Sequence, residues 1–269
     1  MSANLFIVPH DFTSVGDAAL KYAMFLAKPR KTSIMLLHIV SNNAKAKAAT
    51  DNLQKIIDNL DLGVGDGAVE AKVVEGNIFD DISKIAEKSD ARLIIMGTHG
   101  ATGMQKLFGS YAMKVVANSS VPFLVVQDGV DQSKLNRIVV PITTSKESLQ
   151  IIHIAGEIAK TFDSTIYVIA EHQSDQRLSQ QLKVRISLVK NQFEEKGVKA
   201  EIEILKSKKS FQKTIIEYAK KNNCDLIAVS HHSSSIFSQF EKYTQDLMTN
   251  DEYLPCLVVN AKLLSKLYY

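Results

Sequence analysis

The sequence predicts an α/β protein built from two tandem copies of a doubly wound, mostly parallel five-stranded sheet. Short apolar runs alternate with helical patterns along the chain, which favours a parallel sheet covered by helices. Three landmarks recur after 132 or 133 residues: Ile7-Val8-Pro9 as Val139-Val140-Pro141, Leu93-Ile94 as Leu226-Ile227, and Pro122 to Val126 as Pro255 to Val259. A repeat of this length indicates two copies of one fold.

The first copy alternates strand and helix patterns. Strands are predicted at Leu5 to Val8, Ile34 to Val40, Val69 to Val74, Leu93 to Met96 and Phe123 to Gln127. Helices are predicted from about Ser14, with Thr13 or Ser14 as the N-cap, at about Ala44 to Leu60 and at about Ile78 to Lys88. The nearly continuous apolar second strand is typical of a parallel strand that is buried on both faces. We expect the strand order 3-2-1-4-5.

The second copy repeats this architecture. Its strands are predicted at Arg137 to Ile142, Thr165 to Ala170, Ala200 to Leu205, Leu226 to Val229 and Leu257 to Val259. Its helices are predicted at about Ser145 to Lys160, Ser179 to Gly197 and Phe211 to Lys221. We therefore expect domains at 1–128 and 136–269, joined near Asp128 to Ser133.

Composition excludes several classes of function. The 269 residues are 45% hydrophobic and 23% charged, with a formal net charge of +3. No stretch reaches the roughly 18 apolar residues of a membrane span, and the N-terminus lacks the pattern of a signal peptide. The basic cluster Lys206 to Lys209 has no interleaved aromatic residues, unlike a nucleic-acid surface. We expect a cytoplasmic protein that binds neither membranes nor nucleic acid.

The two cysteines predict buried thiols. Cys224 and Cys256 each lie beside an apolar run, and neither belongs to a CxxC or His-Cys cluster. Such placement indicates reduced core cysteines in a reducing compartment.

A glycine-rich segment follows the fourth strand and predicts an anion site. Four glycines, Gly97, Gly100, Gly103 and Gly109, precede a helical pattern that begins behind Ser110. A helix N-terminus behind such a loop directs free N–H groups and its positive dipole at a bound anion, most naturally a phosphate. In the alternative interpretation, the glycines only make tight turns between a strand and a helix.

Asp11 is the polar residue expected opposite this loop. In an open parallel sheet, ligands bind beyond the carboxyl ends of the strands where neighbouring crossovers diverge, here strands one and four. The Asp11 carboxylate could accept a hydrogen bond from an adenine amino group or a ribose hydroxyl. Alternatively, Asp11 only caps the helix that begins near Ser14.

These motifs resemble those of the universal stress protein family. Gly97-Thr98-His99-Gly100, then eight residues, then Gly109-Ser110 is similar to its nucleotide loop, in which the long gap is usually nine. Ile7 to Thr13 and Leu36 to Val40 resemble its first two strands. The resemblance implies an adenine nucleotide alpha hydrolase-like fold that binds ATP or another adenine nucleotide, with Mg²⁺ as an optional companion. The nucleotide-binding residues that it implies are Pro9, Asp11, Ile39, Met96, Gly97, Thr98, His99, Gly100, Gly109, Ser110, Tyr111 and Ala112.

The second copy lacks these motifs. Thr143 replaces Asp11, and the counterparts of Gly97, Gly100 and Gly109 are Ser230, Ser233 and Lys242. We therefore expect a non-binding pseudo-subunit. In the resembled family the last strands commonly pair, which implies an internal pseudo-dimer in which Phe123 to Gln127 meets Leu257 to Asn260. Whether two such chains also form a homodimer is left open.

The leading functional hypothesis is a stress-response sensor or signalling module whose nucleotide occupancy is read by an unidentified protein partner. One alternative is a slow ATP hydrolase, for which Asp11 and His99 are the only candidates to support Mg²⁺ or position water. The other alternative is a nucleotide-free scaffold, in which the short loop and Tyr111 exclude nucleotide. No catalytic or metal motif is evident. His38 is expected to be a hydrogen-bonded core imidazole rather than a catalyst.

Overall fold

The computed structural model describes residues 4–62, 67–98, 113–116, 118–130, 133–231 and 238–261. The chain divides into two compact units, Met1–Gln132 and Ser133–Tyr269. Each unit contains one five-stranded sheet with helices, and each is described separately below.

The first unit contains a fully parallel sheet. Its strands are β1 (Leu5–Pro9), β2 (Ser33–Val40), β3 (Val69–Glu75), β4 (Leu93–Thr98) and β5 (Phe123–Gln127). Their order is β3-β2-β1-β4-β5, so the predicted fold class and strand order are confirmed. The helices are α1 (Ser14–Ala27), α2 (Ala46–Asp58) and α3 (Ile78–Lys88), followed by a helical segment at 113–116.

The second unit repeats this order with β8-β7-β6-β9-β10. Its strands are β6 (Arg137–Ile142), β7 (Thr165–Glu171), β8 (Ala200–Leu205), β9 (Leu226–His231) and β10 (Cys256–Asn260). Its helices are α4 (Ile152–Phe162), α5 (Gln176–Glu195), α6 (Phe211–Lys221) and α7 (Ser238–Met248).

One helix boundary in the second unit differs from the prediction. The pattern predicts a helix from about Ser145, whereas Lys146–Ile151 form a 3₁₀ segment and the α-helix begins at Ile152. The Oγ of Ser230 accepts a hydrogen bond from the Ile151 N–H at 3.1 Å, at the junction of the two helix types. A contact with a distant strand thus satisfies a backbone donor at this junction, which helix periodicity cannot reveal.

The core of each unit lies along the central strands. In the first unit Ile7, Val8, Ile94 and Ile95 are fully buried, as expected for parallel strands covered on both faces. Burial of this apolar surface is the main favourable contribution to folding. The same central strands end together at one edge of the sheet, where the candidate site lies.

Both cysteines lie in the core of the second unit, which confirms their predicted burial. Cys224 is 4% exposed and Cys256 is fully buried. Burial raises the pKa of the Cys224 thiol to about 12, and it raises the pKa of Cys256 in the same direction. Both side chains are therefore protonated thiols at neutral pH.

Within the described ranges, none of the helices has the length and apolar character required to cross a bilayer.

Candidate functional site

The carboxyl ends of β1, β2 and β4 surround a cavity of about 120 Å³, here called the first cavity. Five of the residues singled out from the sequence line it: Pro9, Asp11, Ile39, Met96 and Gly97. Thr98 is buried at the end of β4 and does not line this cavity. His99, Gly100, Gly109, Ser110, Tyr111 and Ala112 lie outside the described residues.

The walls of the first cavity are mostly apolar. Besides Ile39 and Met96, helix α3 contributes three side chains, Ile78, Phe79 and Ile82. The sequence analysis did not assign these three residues to the site. Ile78 is the first residue of α3, directly after the N-cap Asn77, and is 44% exposed. The apolar lining of this cavity suits a planar ring better than a hydrated ion.

Asp11 lies at the rim of the first cavity and holds the turn that leads into α1. Its Oδ1 accepts hydrogen bonds from the Thr13 N–H, at 3.2 Å, and from the Thr13 hydroxyl. Thr13 is itself the N-cap, because its hydroxyl oxygen accepts from the Gly16 N–H. Asp11 therefore supports the cap rather than forming it. In the described part of the chain its Oδ2 has no hydrogen-bond donor and can accept from a ligand.

His10 is a buried, neutral imidazole beside the first cavity. Its Nδ1 accepts from the Phe12 N–H at 3.1 Å, and its Nε2–H donates to the Asp17 carboxylate at 3.2 Å. Burial lowers the pKa of His10 and outweighs the opposing effect of Asp17. Since both ring nitrogens are engaged, His10 orders the end of β1 and does not act as a proton carrier.

Phe12 is an aromatic residue beside the first cavity that the sequence did not single out; it contacts the lining residue His38 and does not itself line the cavity. Its backbone φ of 63° places a bulky residue in the left-handed region, at a cost of roughly 1–2 kcal/mol. The ring is 40% exposed and lies 4.5 Å from the His38 ring, between ring centroids. His38 donates from Nδ1 to the His10 carbonyl at 2.7 Å, so its predicted hydrogen-bonded state is confirmed, although the side chain is only half-buried.

Gly97 is required for the packing of β4 against α1. A Cβ atom at this position would lie 2.3 Å from the Val15 carbonyl oxygen and 2.7 Å from its carbon. Such distances are shorter than any stable contact, so every other residue would push the first turn of α1 away from the strand. Close approach of helix and strand therefore explains Gly97 without a ligand. The tight-turn alternative does not describe this position, because Gly97 lies within β4.

Comparison of the sequence with known protein families identifies the family of this chain. A sequence model of the universal stress protein family matches residues 5–127 and again residues 134–241. The chain belongs to the universal stress protein family. The double match also confirms the tandem repeat of universal stress protein sequences.

Individual universal stress proteins match either one half or the whole chain. Universal stress protein MJ0531 of Methanocaldococcus jannaschii is 28% identical over 136 residues, covering 45% of this chain and 80% of that protein. Universal stress protein MJ0577 of the same organism is 25% identical over 150 residues, covering 45% of this chain and 93% of that protein. The crystal structure of a universal stress protein from Archaeoglobus fulgidus covers 97% of this chain and 100% of its own, with 16% identity and a TM-score of 0.75. This last likeness shows a shared fold.

The second unit of this universal stress protein has a turn equivalent to the one at Asp11, but the side-chain acceptor in that turn is a hydroxyl and not a carboxylate. Thr143 occupies the equivalent position, and its Oγ1 accepts from the Ser145 N–H at 3.2 Å, as Asp11 accepts from Thr13. The turn is therefore preserved while the carboxylate is lost. Ser230 stands where Gly97 stands in the first unit, and its hydroxyl contacts the start of α4.

The second unit also has a cavity at the carboxyl ends of its strands, here called the second cavity. Its volume is about 510 Å³, and Pro141, Thr143 and Ser230 line it at positions equivalent to Pro9, Asp11 and Gly97. Strand register identifies another counterpart: Pro9 pairs with Leu37 and Pro141 with Ile169, so Glu171 corresponds to Ile39. The sequence analysis did not find Glu171, although adding the offset of 132 residues to Ile39 gives this position.

Proposed function

We propose that the first unit binds an adenine nucleotide, ATP or a close relative, and that occupancy of this site makes the protein a sensor or signalling module in the stress response. The observation that carries this proposal is the first cavity, an apolar space with the Asp11 carboxylate at its rim, whose Oδ2 has no donor among the described residues. Apolar walls and one aimed acceptor suit a heterocyclic base with an attached ribose.

The nucleotide would be oriented by its base. The adenine ring would contact Ile39 and Met96, and Asp11 Oδ2 would accept from the adenine amino group or a ribose hydroxyl. The phosphates would extend toward the glycine-rich sequence Gly100 to Ser110, whose residues lie outside the described part of the chain. Mg²⁺, when present, would accompany the phosphates.

The second unit would not take this nucleotide in the same way and would serve as a pseudo-subunit for the first. Thr143 supplies no carboxylate, and Glu171 places a charge where Ile39 offers an apolar surface. Placing adenine against Glu171 would remove water from a carboxylate without giving it a cationic partner, which is costly.

Calorimetric titration of the nucleotide-stripped full-length protein with Mg²⁺–ATP tests the proposal. We expect one site per chain, weakened at least about tenfold by Asp11→Ala because a hydrogen bond to a charged group is lost. Thr143→Ala is the matched control, since it alters the equivalent turn of the second unit, and it should leave the affinity unchanged. Two sites per chain would contradict the pseudo-subunit, and no binding at all would favour the nucleotide-free scaffold.

A further inference from the structure

We propose that the second cavity binds a small organic ammonium compound, with Glu171 as its counter-ion and the rings of Phe211 and Tyr243 as its aromatic walls. This inference concerns the second unit only and does not depend on nucleotide binding by the first.

The size of the second cavity favours a ligand. The second cavity measures about 510 Å³ against about 120 Å³ for the first. A cleft of this volume lies within the range of small-molecule sites, roughly 300–1,000 Å³. The second unit thus has space at its strand ends, and its lining is mixed where that of the first cavity is mostly apolar.

Glu171 gives the second cavity its charge preference. It ends β7 and is half-buried, and no lysine, arginine or histidine of the described chain forms an ion pair with it. A carboxylate that is partly removed from water and unpaired is stabilised by an incoming cation. An anionic ligand placed there would be repelled.

Two aromatic rings line the second cavity. Phe211 begins α6 and Tyr243 belongs to α7, and their rings are nearly parallel, with an interplanar angle of 18° and centroids 6.5 Å apart. The faces of such rings attract ammonium groups, and aromatic faces together with a carboxylate form a common recognition site for quaternary ammonium ions. Burial raises the pKa of Tyr243, and the nearby Glu171 carboxylate adds to the effect, so its hydroxyl stays neutral and protonated.

The other charged groups near the cavity restrict the ligand further. Lys242 lines the cavity and is exposed. Asp246 accepts a hydrogen bond from the Gln212 side chain at 3.3 Å and is thereby partly satisfied. A lysine at the rim disfavours a second positive charge on the ligand and favours a carboxylate there. The ligand is therefore either a simple ammonium alcohol or a zwitterion, which share the cationic head group.

Titration of the full-length protein with matched probes tests the cationic head group. Choline and 3,3-dimethylbutan-1-ol have nearly the same shape, but only choline is charged. Ethanolamine serves as the primary ammonium probe. We expect saturation-transfer NMR to show binding of choline or ethanolamine, with the neutral isostere at least about tenfold weaker than choline. Equal binding of choline and its isostere, or no binding of either cation at millimolar concentration, overturns the proposal.

Substitutions locate the binding. Glu171→Gln keeps the size of the side chain and should weaken choline binding by about tenfold or more, since it removes the charge–charge attraction to the counter-ion. Asp11→Ala, in the first unit, is the control and should have no effect on choline. Unchanged choline affinity in Glu171→Gln, or a loss in Asp11→Ala, refutes the assignment. If Glu171→Gln does not fold, the comparison of choline with its isostere on the unaltered protein still decides.

Titration with glycine betaine distinguishes the two ligand classes, a simple ammonium alcohol and a zwitterion. If the ligand is a zwitterion, betaine should bind more tightly than choline, and Lys242→Ala should remove this advantage while leaving choline unaffected. If the ligand is a simple ammonium alcohol, choline should bind at least as tightly as betaine. Either result supports the ammonium site and identifies the class of its ligand.

Discussion

At the scale of single residues, His10 gives the first unit a defined pH dependence. Burial holds its pKa below the ordinary value of 6.5, so the unfolded chain takes up a proton more readily than the native one. The stability that depends on the neutral ring is therefore present above about pH 6.5 and is lost as the pH falls through the native pKa. Urea unfolding at about pH 7.5 and about pH 5 should show this loss in the unaltered protein and a smaller loss in His10→Gln.

Asp17→Asn provides the control for the direction of this effect. The Asp17 carboxylate raises the pKa of His10 against the effect of burial. Its removal should lower that pKa further, as measured by NMR titration of the ring. A higher pKa in Asp17→Asn would contradict the hydrogen-bond pattern that we describe.

Gly97 predicts a large cost for a single methyl group. In Gly97→Ala the new Cβ would lie 2.3 Å from the Val15 carbonyl oxygen, and we expect a destabilisation of about 1–3 kcal/mol in urea unfolding. Ser230→Ala changes the equivalent position of the second unit, but it adds no atoms and only removes the acceptor for the Ile151 N–H. It should cost about 1 kcal/mol. An effect of Gly97→Ala clearly below about 1 kcal/mol would contradict this close contact and show that α1 moves away freely.

At the candidate site, the sequence singled out residues with distinctive chemistry and did not single out those that contribute shape. Asp11, Ile39 and Met96 stood out by motif and lie together at the first cavity. Phe12 did not, because its left-handed backbone and its contact with His38 arise from packing at the end of β1. The walls supplied by α3 were missed for a similar reason: periodicity predicts a helix but not where its first turn points.

At the scale of secondary-structure elements, the start of α3 allows a matched test of capping. The Asn77 side chain accepts from the Phe79 N–H at 2.9 Å, while Asp81 accepts from the Asn77 N–H at 2.8 Å. Asn77→Ala should cost about 1 kcal/mol of stability, because a backbone donor of the first turn loses its acceptor. Ser210 precedes the equivalent helix α6 but makes no side-chain capping bond, so Ser210→Ala should change little. Urea unfolding of both variants gives the comparison, and equal effects would argue against this capping.

Element boundaries were predictable where local signals decide them. The predicted and observed limits coincide for α3, β6, β8 and α6. They differ at the start of α4, where Ser230 from another strand contacts the chain. A contact between residues 79 positions apart leaves no periodic trace in the sequence, and this explains why only the structure could show it.

At the scale of the whole molecule, nucleotide binding should affect the two units unequally. Saturating ATP should slow amide exchange in the first unit at 9–16 and 37–40, which end β1 and β2 and begin α1. The equivalent segments of the second unit, 141–148 and 169–172, should be unchanged. At one hundred times the dissociation constant, binding stabilises the native state by about 2.7 kcal/mol. Hydrogen-exchange mass spectrometry provides the measurement.

Asp11→Asn is the control for this experiment, because an amide oxygen can still accept from the Thr13 N–H and keep the turn while the carboxylate is lost. It should weaken the protection by ATP at subsaturating concentration and leave exchange in the absence of ATP nearly unchanged. Equal protection of both units in the unaltered protein would contradict a silent second unit.

The repeat itself could be predicted from the sequence, because parallel strands buried on both faces preserve recognisable apolar runs. The different linings of the two cavities could not be predicted from the sequence, because each lining depends on side chains brought together from distant elements.

The buried cysteines have a practical consequence for experiments on this protein. Alkylating reagents react with thiolates, and Cys224, with its pKa raised to about 12, and the still more buried Cys256 supply almost none at neutral pH. A cysteine introduced at an exposed position therefore becomes the preferred target for a maleimide dye in an otherwise unaltered chain. Ile78, at the mouth of the first cavity and 44% exposed, is a suitable place for such a fluorescent reporter.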